Sequence, residues 1–207
     1  DITALKSFED EQILLRNELA HRIKNILALV QAVASQTLKD DADMATAKPT
    51  FLSRLGALSR GHDILINAHH NPTQLRTLAE AVVAEHSVGR VLIDGPEIDL
   101  SAKCALALTL AFHELATNAF KYGALSNDTG IVSLTWKLNE DADRPTLDLT
   151  WKETGGPEVF QPTRRGFGSR MIDKALSSYL GGTSRIDFDR DGLVFSLSAP
   201  VANLIEN

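Results

Sequence analysis

The chain has 207 residues, 43% hydrophobic and 23% charged, with 21 Lys and Arg against 27 Asp and Glu for a formal net charge of −6. Those proportions belong to folded globular proteins and exclude a wholly disordered, collagenous or disulfide-stapled chain. The length admits one large domain or two smaller ones, and the mild acidity leaves no electrostatic footprint for nucleic acid or an anionic membrane surface.

One cysteine, Cys104, cannot form an internal disulfide, which fits a reducing, cytoplasmic compartment. The longest apolar stretch, Cys104 to Phe112, is about half of what a bilayer span needs. Residues 1–12 carry Asp1, Lys6, Glu9, Asp10 and Glu11 and no apolar run, so no signal peptide is expected. The chain opens on Asp1 and reads as a piece excised from a longer protein.

Residues 4–38 predict one long helix. Leu15, Leu19, Ile23, Ile26, Val30 and Val33 recur at spacings of three and four, a heptad-like seam that no Pro or Gly interrupts. The polar run Lys39-Asp40-Asp41-Ala42-Asp43 ends it. A second helix is expected from about Lys48, with Pro49 in its first turn and a seam of Phe51, Leu55, Leu58, His62 and Leu65. Two seamed helices joined by a short polar loop form a hairpin that cannot bury its stripes alone, so it should pair with a second hairpin or dock on a neighbour. This first part is taken as residues 1–71, with a hinge near Ala68–Pro72.

The second part, 72–207, is mixed α and β. A helix is expected over 73–86 and a short strand over Arg90–Asp94, closed by Gly95-Pro96. A long helix should run from near Leu100 to Tyr122, capped by Ser101. Strands are expected at Ile131–Leu138 and Thr146–Lys152, then a helix at 169–180, the Gly181-Gly182 turn, and strands near 184–188 and 192–198. Helices on one side of antiparallel strands make an α/β sandwich, so the fold class is α+β: a helical hairpin followed by the sandwich.

Four places could carry chemistry. His21 lies roughly 200° around the first helix from the seam centre, beside Glu18, Arg22, Lys24 and Asn25. It is open whether it is an inconsequential surface histidine or an exposed, neutral imidazole able to accept a phosphoryl group. His62 falls on its helix's seam and reads as packed, and no pair of histidines has supported metal-ligand spacing, so no structural zinc is expected. Glu114, Asn118 and Lys121, at i, i+4 and i+7 within His113–Tyr122, form one polar stripe down an otherwise apolar helix. The stripe could orient a hydrated Mg²⁺ and pair with phosphate oxygens, or be a plain solvent face. Trp151-Lys152-Glu153-Thr154-Gly155-Gly156-Pro157 puts a carboxylate at a strand end before paired glycines. That suits an exocyclic amine and a flat ring, and equally an ordinary strand-ending turn. Arg164-Arg165-Gly166-Phe167-Gly168-Ser169 leads into a helix N-terminus, where free N–H groups attract anions. It lacks the Gly-Lys-Ser/Thr ending of a Walker loop.

At these residues the chain resembles the HWE family of sensor histidine kinases. Leu19-Ala20-His21-Arg22-Ile23-Lys24-Asn25 is similar to its phosphoacceptor box, and His113–Ser126 to its N box, with His113 as the namesake H. Trp151 and Glu153 match the W and E, and Gly166-Phe167-Gly168-Ser169 resembles the second glycine box. The resemblance implies a dimerisation and phosphotransfer hairpin, a four-helix bundle if two chains pair, followed by a Bergerat-type (GHKL) ATP-binding domain. It implies autophosphorylation of His21 from Mg-ATP and transfer to an aspartate of a response regulator. On the same carry-over Asn118 ligates Mg²⁺, Glu114 orients metal-bound water, and Glu153 accepts the adenine amine in place of the usual aspartate. Gly155, Gly156, Gly166, Gly168 and Ser169 line the nucleotide, and Lys121 contacts phosphate. Asp1-Ile2-Thr3 resembles the D-I-T ending of a PAS domain, so a PAS or light-sensing LOV module is expected upstream. A homodimer is expected, with a self-capped monomer open. The rivals are a GHKL-type ATPase or anti-sigma-type serine kinase, in which His21 has no role, and a non-enzymatic signalling scaffold.

Overall fold

A computed structural model describes residues 2–38, 43–67, 73–84, 89–140, 144–160, 176–177 and 179–205; for His21 and several neighbours in the first helix the backbone alone is described. Helix α1 spans Ile2–Thr37 and α2 Met44–Asn67. Helix α2 begins four residues before the expected start because Asp43 caps it: its carboxylate accepts the Ala45 N–H at 3.2 Å and its carbonyl the Ala47 N–H at 2.8 Å. Pro49 therefore sits in the second turn rather than the first, where it removes one N–H from the ladder.

The expected seam of α1 is corrected in direction. Leu29 and Val33 are buried, Ile26 and Val30 half-buried, and Leu19, Ile23 and Leu27 exposed. The buried face is turned toward Leu29 because the hairpin packs sideways on a third helix. Leu29, Val33 and Leu58 form one apolar cluster with Leu106 and Leu110 of the helix Ala102–Lys121.

The rest is a two-layer assembly. Strand β1 (Thr73–Gln74) pairs antiparallel with β3 (Asp99–Leu100), flanking α3 (Leu75–Val83) and β2 (Val91–Asp94). Helix α4 covers Ala102–Lys121, and Ser101 accepts the Cys104 N–H at its start. After a 3₁₀ turn at Ala124–Ser126 come β4 (Ile131–Asn139), β5 (Thr146–Thr154), β6 (Thr183–Asp189), β7 (Gly192–Pro200) and a short α5 (Val201–Ile205) that was not expected. The sheet order is β2-β4-β5-β7-β6. It is mixed rather than wholly antiparallel, because α4 crosses over from β2 to a parallel β4. Of the expected 169–180 helix, residues 169–175 and 178 lie outside the described residues, and 176–177 and 179–180 are helical.

Alternation fixes the core. Val132, Leu134 and Trp136 of β4 and Leu147, Leu149 and Trp151 of β5 are buried on the face beneath α3 and α4. Helix α4 is buried almost all round, since the sheet covers one side and the hairpin the other. No helix among the described residues is long and apolar enough to cross a membrane.

Candidate functional site

The inward parity of β5 continues past Trp151 to Glu153, so the strand delivers a carboxylate to the floor of the domain, opposite Val132. Glu153 is 3% exposed. Its Oε2 accepts the Ala124 N–H at 2.9 Å and its Oε1 the Trp151 indole N–H at 3.2 Å. Burial raises its pKa above the ordinary carboxylate value, while the Ala124 and Trp151 hydrogen bonds oppose that rise. Each oxygen keeps a second lone pair, so an added donor could still be accepted.

The loops around Glu153 form one platform. Gly155, at φ +71°, offers its carbonyl to the Asn127 amide at 2.8 Å. A Cβ on Gly156 would lie 2.7 Å from the Ala124 backbone, so this glycine packs under the 3₁₀ turn. From the other side the Arg90 guanidinium donates to the carbonyls of Asn127 at 2.5 Å, Gly130 at 3.1 Å and Leu125 at 3.4 Å. Sequence inspection missed Arg90; a lone cation immediately before a short apolar strand was the available signal. Beyond the end of β5 lies an open depression of about 480 Å³, lined by Thr154, Gly155, Gly156, Glu158, Arg190 and Asp191.

The C-terminal end of α4 meets this platform, because Gly123 and Ala124 follow the helix directly. Lys121 is exposed in its last turn, where a cation complements the helix dipole. Asn118 is half-buried one turn earlier. A single carboxamide oxygen suits Mg²⁺, which keeps waters and takes the rest of its shell from phosphate oxygens. Among the described residues no cluster of three or more His, Cys, Asp or Glu could hold a metal ion by itself.

The expected polar stripe does not run as a solvent face. Glu114 is 6% exposed and His113 3%, and both point at the hairpin. Arg54 of α2 grips the Glu114 carboxylate in two bonds, Nε to Oε1 at 2.5 Å and Nη2 to Oε2 at 2.7 Å. Its Nη1 donates to the Thr37 hydroxyl of α1 at 2.9 Å. Ser53 Oγ lies 3.1 Å from His113 Nε2. Arg54 was also missed, although a charge among Phe51, Leu55 and Leu58 on an apolar stripe signals a buried partner. The structure thus joins Glu153, Gly155 and Gly156 to the end of α4, and separates Glu114 and His113 from them toward the hairpin. His21 belongs to α1, and Gly166, Gly168 and Ser169 lie outside the described residues.

Comparison with known proteins agrees with the motif reading. Residues 18–97 match the family model described as HWE histidine kinase. The chain is 38% identical over 204 residues to a blue-light-activated histidine kinase of Brucella ovis and 39% identical to that of Brucella anthropi. These matches cover 97% of this chain and 42% of each relative, so the chain spans about two-fifths of their length. In fold it is similar to the Erythrobacter litoralis EL346 blue-light activated histidine kinase, with TM-score 0.68 at 16% identity over 90% of this chain and 59% of that one. The histidine kinase domain of the same protein gives TM-score 0.56 at 16% identity, covering 86% of this chain and 98% of that one. By sequence, residues 18–97 are similar to the HWE histidine kinase family.

Proposed function

We propose that this chain is the ATP-dependent kinase core of a sensor histidine kinase, with residues 1–71 as the phosphotransfer part and 72–207 as a GHKL-type nucleotide-binding part. The observation that carries this reading is the platform at the end of α4. One helix supplies Asn118 and Lys121, and the loop after it is tied to Glu153 and Gly155 by the Ala124 and Asn127 hydrogen bonds. A buried carboxylate, a half-buried carboxamide and an exposed ammonium are the group types that an adenine amine, a hydrated Mg²⁺ and phosphate oxygens call for.

In the reaction, the bond from the γ-phosphorus to its bridging oxygen breaks and ADP leaves. A bond to an imidazole nitrogen of His21 forms, and the ring gives up its N–H proton. Mg²⁺, when bound, neutralises charge on the phosphate oxygens. The chain's own part is to seat the adenine at Glu153, hold Asn118 and Lys121 against the phosphates, and exclude water. The phosphoryl group then passes to an aspartate of a response regulator, and an upstream PAS or LOV module supplies the input.

Incubation with γ-labelled ATP tests the reading. An acid-labile, alkali-stable label that disappears in His21→Ala supports it. Free phosphate without protein label supports a GHKL-type ATPase, an acid-stable label a serine kinase, and absence of nucleotide binding a scaffold.

A further inference from the structure

Helix α4 is shared by the two parts of the chain. The hairpin sits on it through Leu29, Val33 and Leu58 against Leu106 and Leu110, and through Gly61, where a Cβ would lie 3.2 Å from the Thr109 Cβ. At the centre the Arg54 and Glu114 side chains, 6% and 8% exposed, form a two-pronged ion pair. Both carboxylate oxygens are taken by a guanidinium that is itself tied to Thr37, and Thr37 to the Val33 carbonyl at 2.6 Å.

These contacts also fix direction. Thr37 is level with Glu114 through Arg54, while Leu29 and Val33 are level with Leu106 and Leu110, so α1 and α4 run the same way. Residue 21 lies sixteen residues before Thr37, about 24 Å along α1 at 1.5 Å per residue, toward the start of α4. Asn118 lies one turn beyond Glu114, about 6 Å the other way. The acceptor position and the metal-binding end of α4 are therefore roughly 30 Å apart along a common axis. Transfer needs reacting atoms about 3 Å apart.

We propose that the Arg54–Glu114 pair is a latch that holds the chain in a non-transferring form. While it is made, Glu114 is withdrawn from the nucleotide and His21 cannot reach the γ-phosphate of its own chain. Autophosphorylation requires the pair to part and the hairpin to move along or away from α4. A buried ion pair suits this task. Its attraction is largely offset by the hydration both charges regain on separation, so it specifies the docked register without making it permanent. The inference rests on the kinase reading above.

A redox lock tests it. In Gly61→Cys/Thr109→Cys the two Cβ positions are close to the roughly 3.5–4.5 Å span of disulfides, so oxidation should fasten α2 to α4. The 207-residue protein, with the bond verified by peptide mapping, is given γ-labelled Mg-ATP before and after dithiothreitol. The expected result is labelling of His21 at least tenfold slower in the oxidised form, recovery on reduction, and binding of a trinitrophenyl-ATP probe within twofold in both states. Equal labelling in both states overturns the latch and leaves the kinase reading intact. No label in either state removes the kinase reading and the latch with it. Arg54→Met is the second arm: release of the latch makes labelling faster than in the parent, whereas an unchanged or slower rate in folded protein means the pair is only a strut, and overturns the proposal.

Discussion

A Cβ on Gly123 would lie 1.9 Å from Oε2 of Glu153. A glycine just past a helix is commonly there for a left-handed turn, but Gly123 has φ −106°, open to any residue. It is glycine because the buried carboxylate comes up against its backbone to reach the Ala124 N–H. Gly123→Ala should push Glu153 aside and break that bond, leaving a buried charge short of a donor at a cost of about 1–3 kcal/mol. Urea unfolding at neutral pH measures it; an unchanged midpoint would show that the carboxylate can be displaced freely.

Glu153 also sets a pH dependence. Burial, opposed by the Ala124 and Trp151 bonds, raises its folded-state pKa above the ordinary 4.5. Between the unfolded and folded values the native state therefore binds more protons than the unfolded state, and stability falls as pH rises through that window. The contribution is fully present below about 4.5 and is lost above the raised folded value. Glu153→Gln, which cannot ionise, should flatten this slope in Tm measured from pH 4 upward. A slope equal to that of the parent would assign the effect to other groups.

The Arg54–Glu114 pair makes a stability prediction separate from its proposed switching role. Arg54→Met leaves the Glu114 carboxylate uncompensated while the hairpin is docked and should cost the docked form about 3–5 kcal/mol. Glu114→Leu strands the guanidinium and should cost a similar amount. The double variant replaces the pair with apolar volume, so most of the loss should return. A double variant as unstable as the sum of the singles would mean that the two side chains do not share one interaction.

An i, i+4 stripe of Leu19, Ile23 and Leu27 stays exposed on α1. If two hairpins pair into the expected four-helix bundle, this stripe is what the second copy covers. Ile23→Glu with Leu27→Glu should then convert a dimer to a monomer in sedimentation equilibrium. A parent chain that sediments as a monomer at micromolar concentration would exclude that bundle.

Much of the fold was legible because it rests on local signals. Period-2 runs marked β4 and β5, Ser101 marked the start of α4, and two glycines marked the turn into β6. What was not legible depends on contacts between distant segments. The parallel pairing of β2 with β4 is set by a crossover, not by either strand's composition. The direction of the α1 stripe was misjudged because a seam shows that a helix is buried, not which neighbour buries it. For the same reason Glu114 and Asn118, neighbours on one helical face, end in different surroundings: Arg54, sixty residues away, lays claim to the first only.

Arg90 gives the last expectation. One guanidinium gathers the carbonyls of Leu125, Asn127 and Gly130, which holds the loop after α4 against Gly155 and therefore shapes the proposed adenine end of the site. No neutral side chain can donate to three carbonyls, and an ammonium, though it has three donors, lacks the planar fork that spans them. Arg90→Met should therefore loosen this loop more than the core. The expected outcome is a trinitrophenyl-ATP affinity about tenfold weaker, near 1.4 kcal/mol, with hydrogen exchange accelerated at the amides of Thr129 and Gly130, which bond to the Asn127 side chain. Arg90→Lys should recover only part of that affinity. Full recovery would mean that charge near the loop, rather than the fork's geometry, is what the site requires.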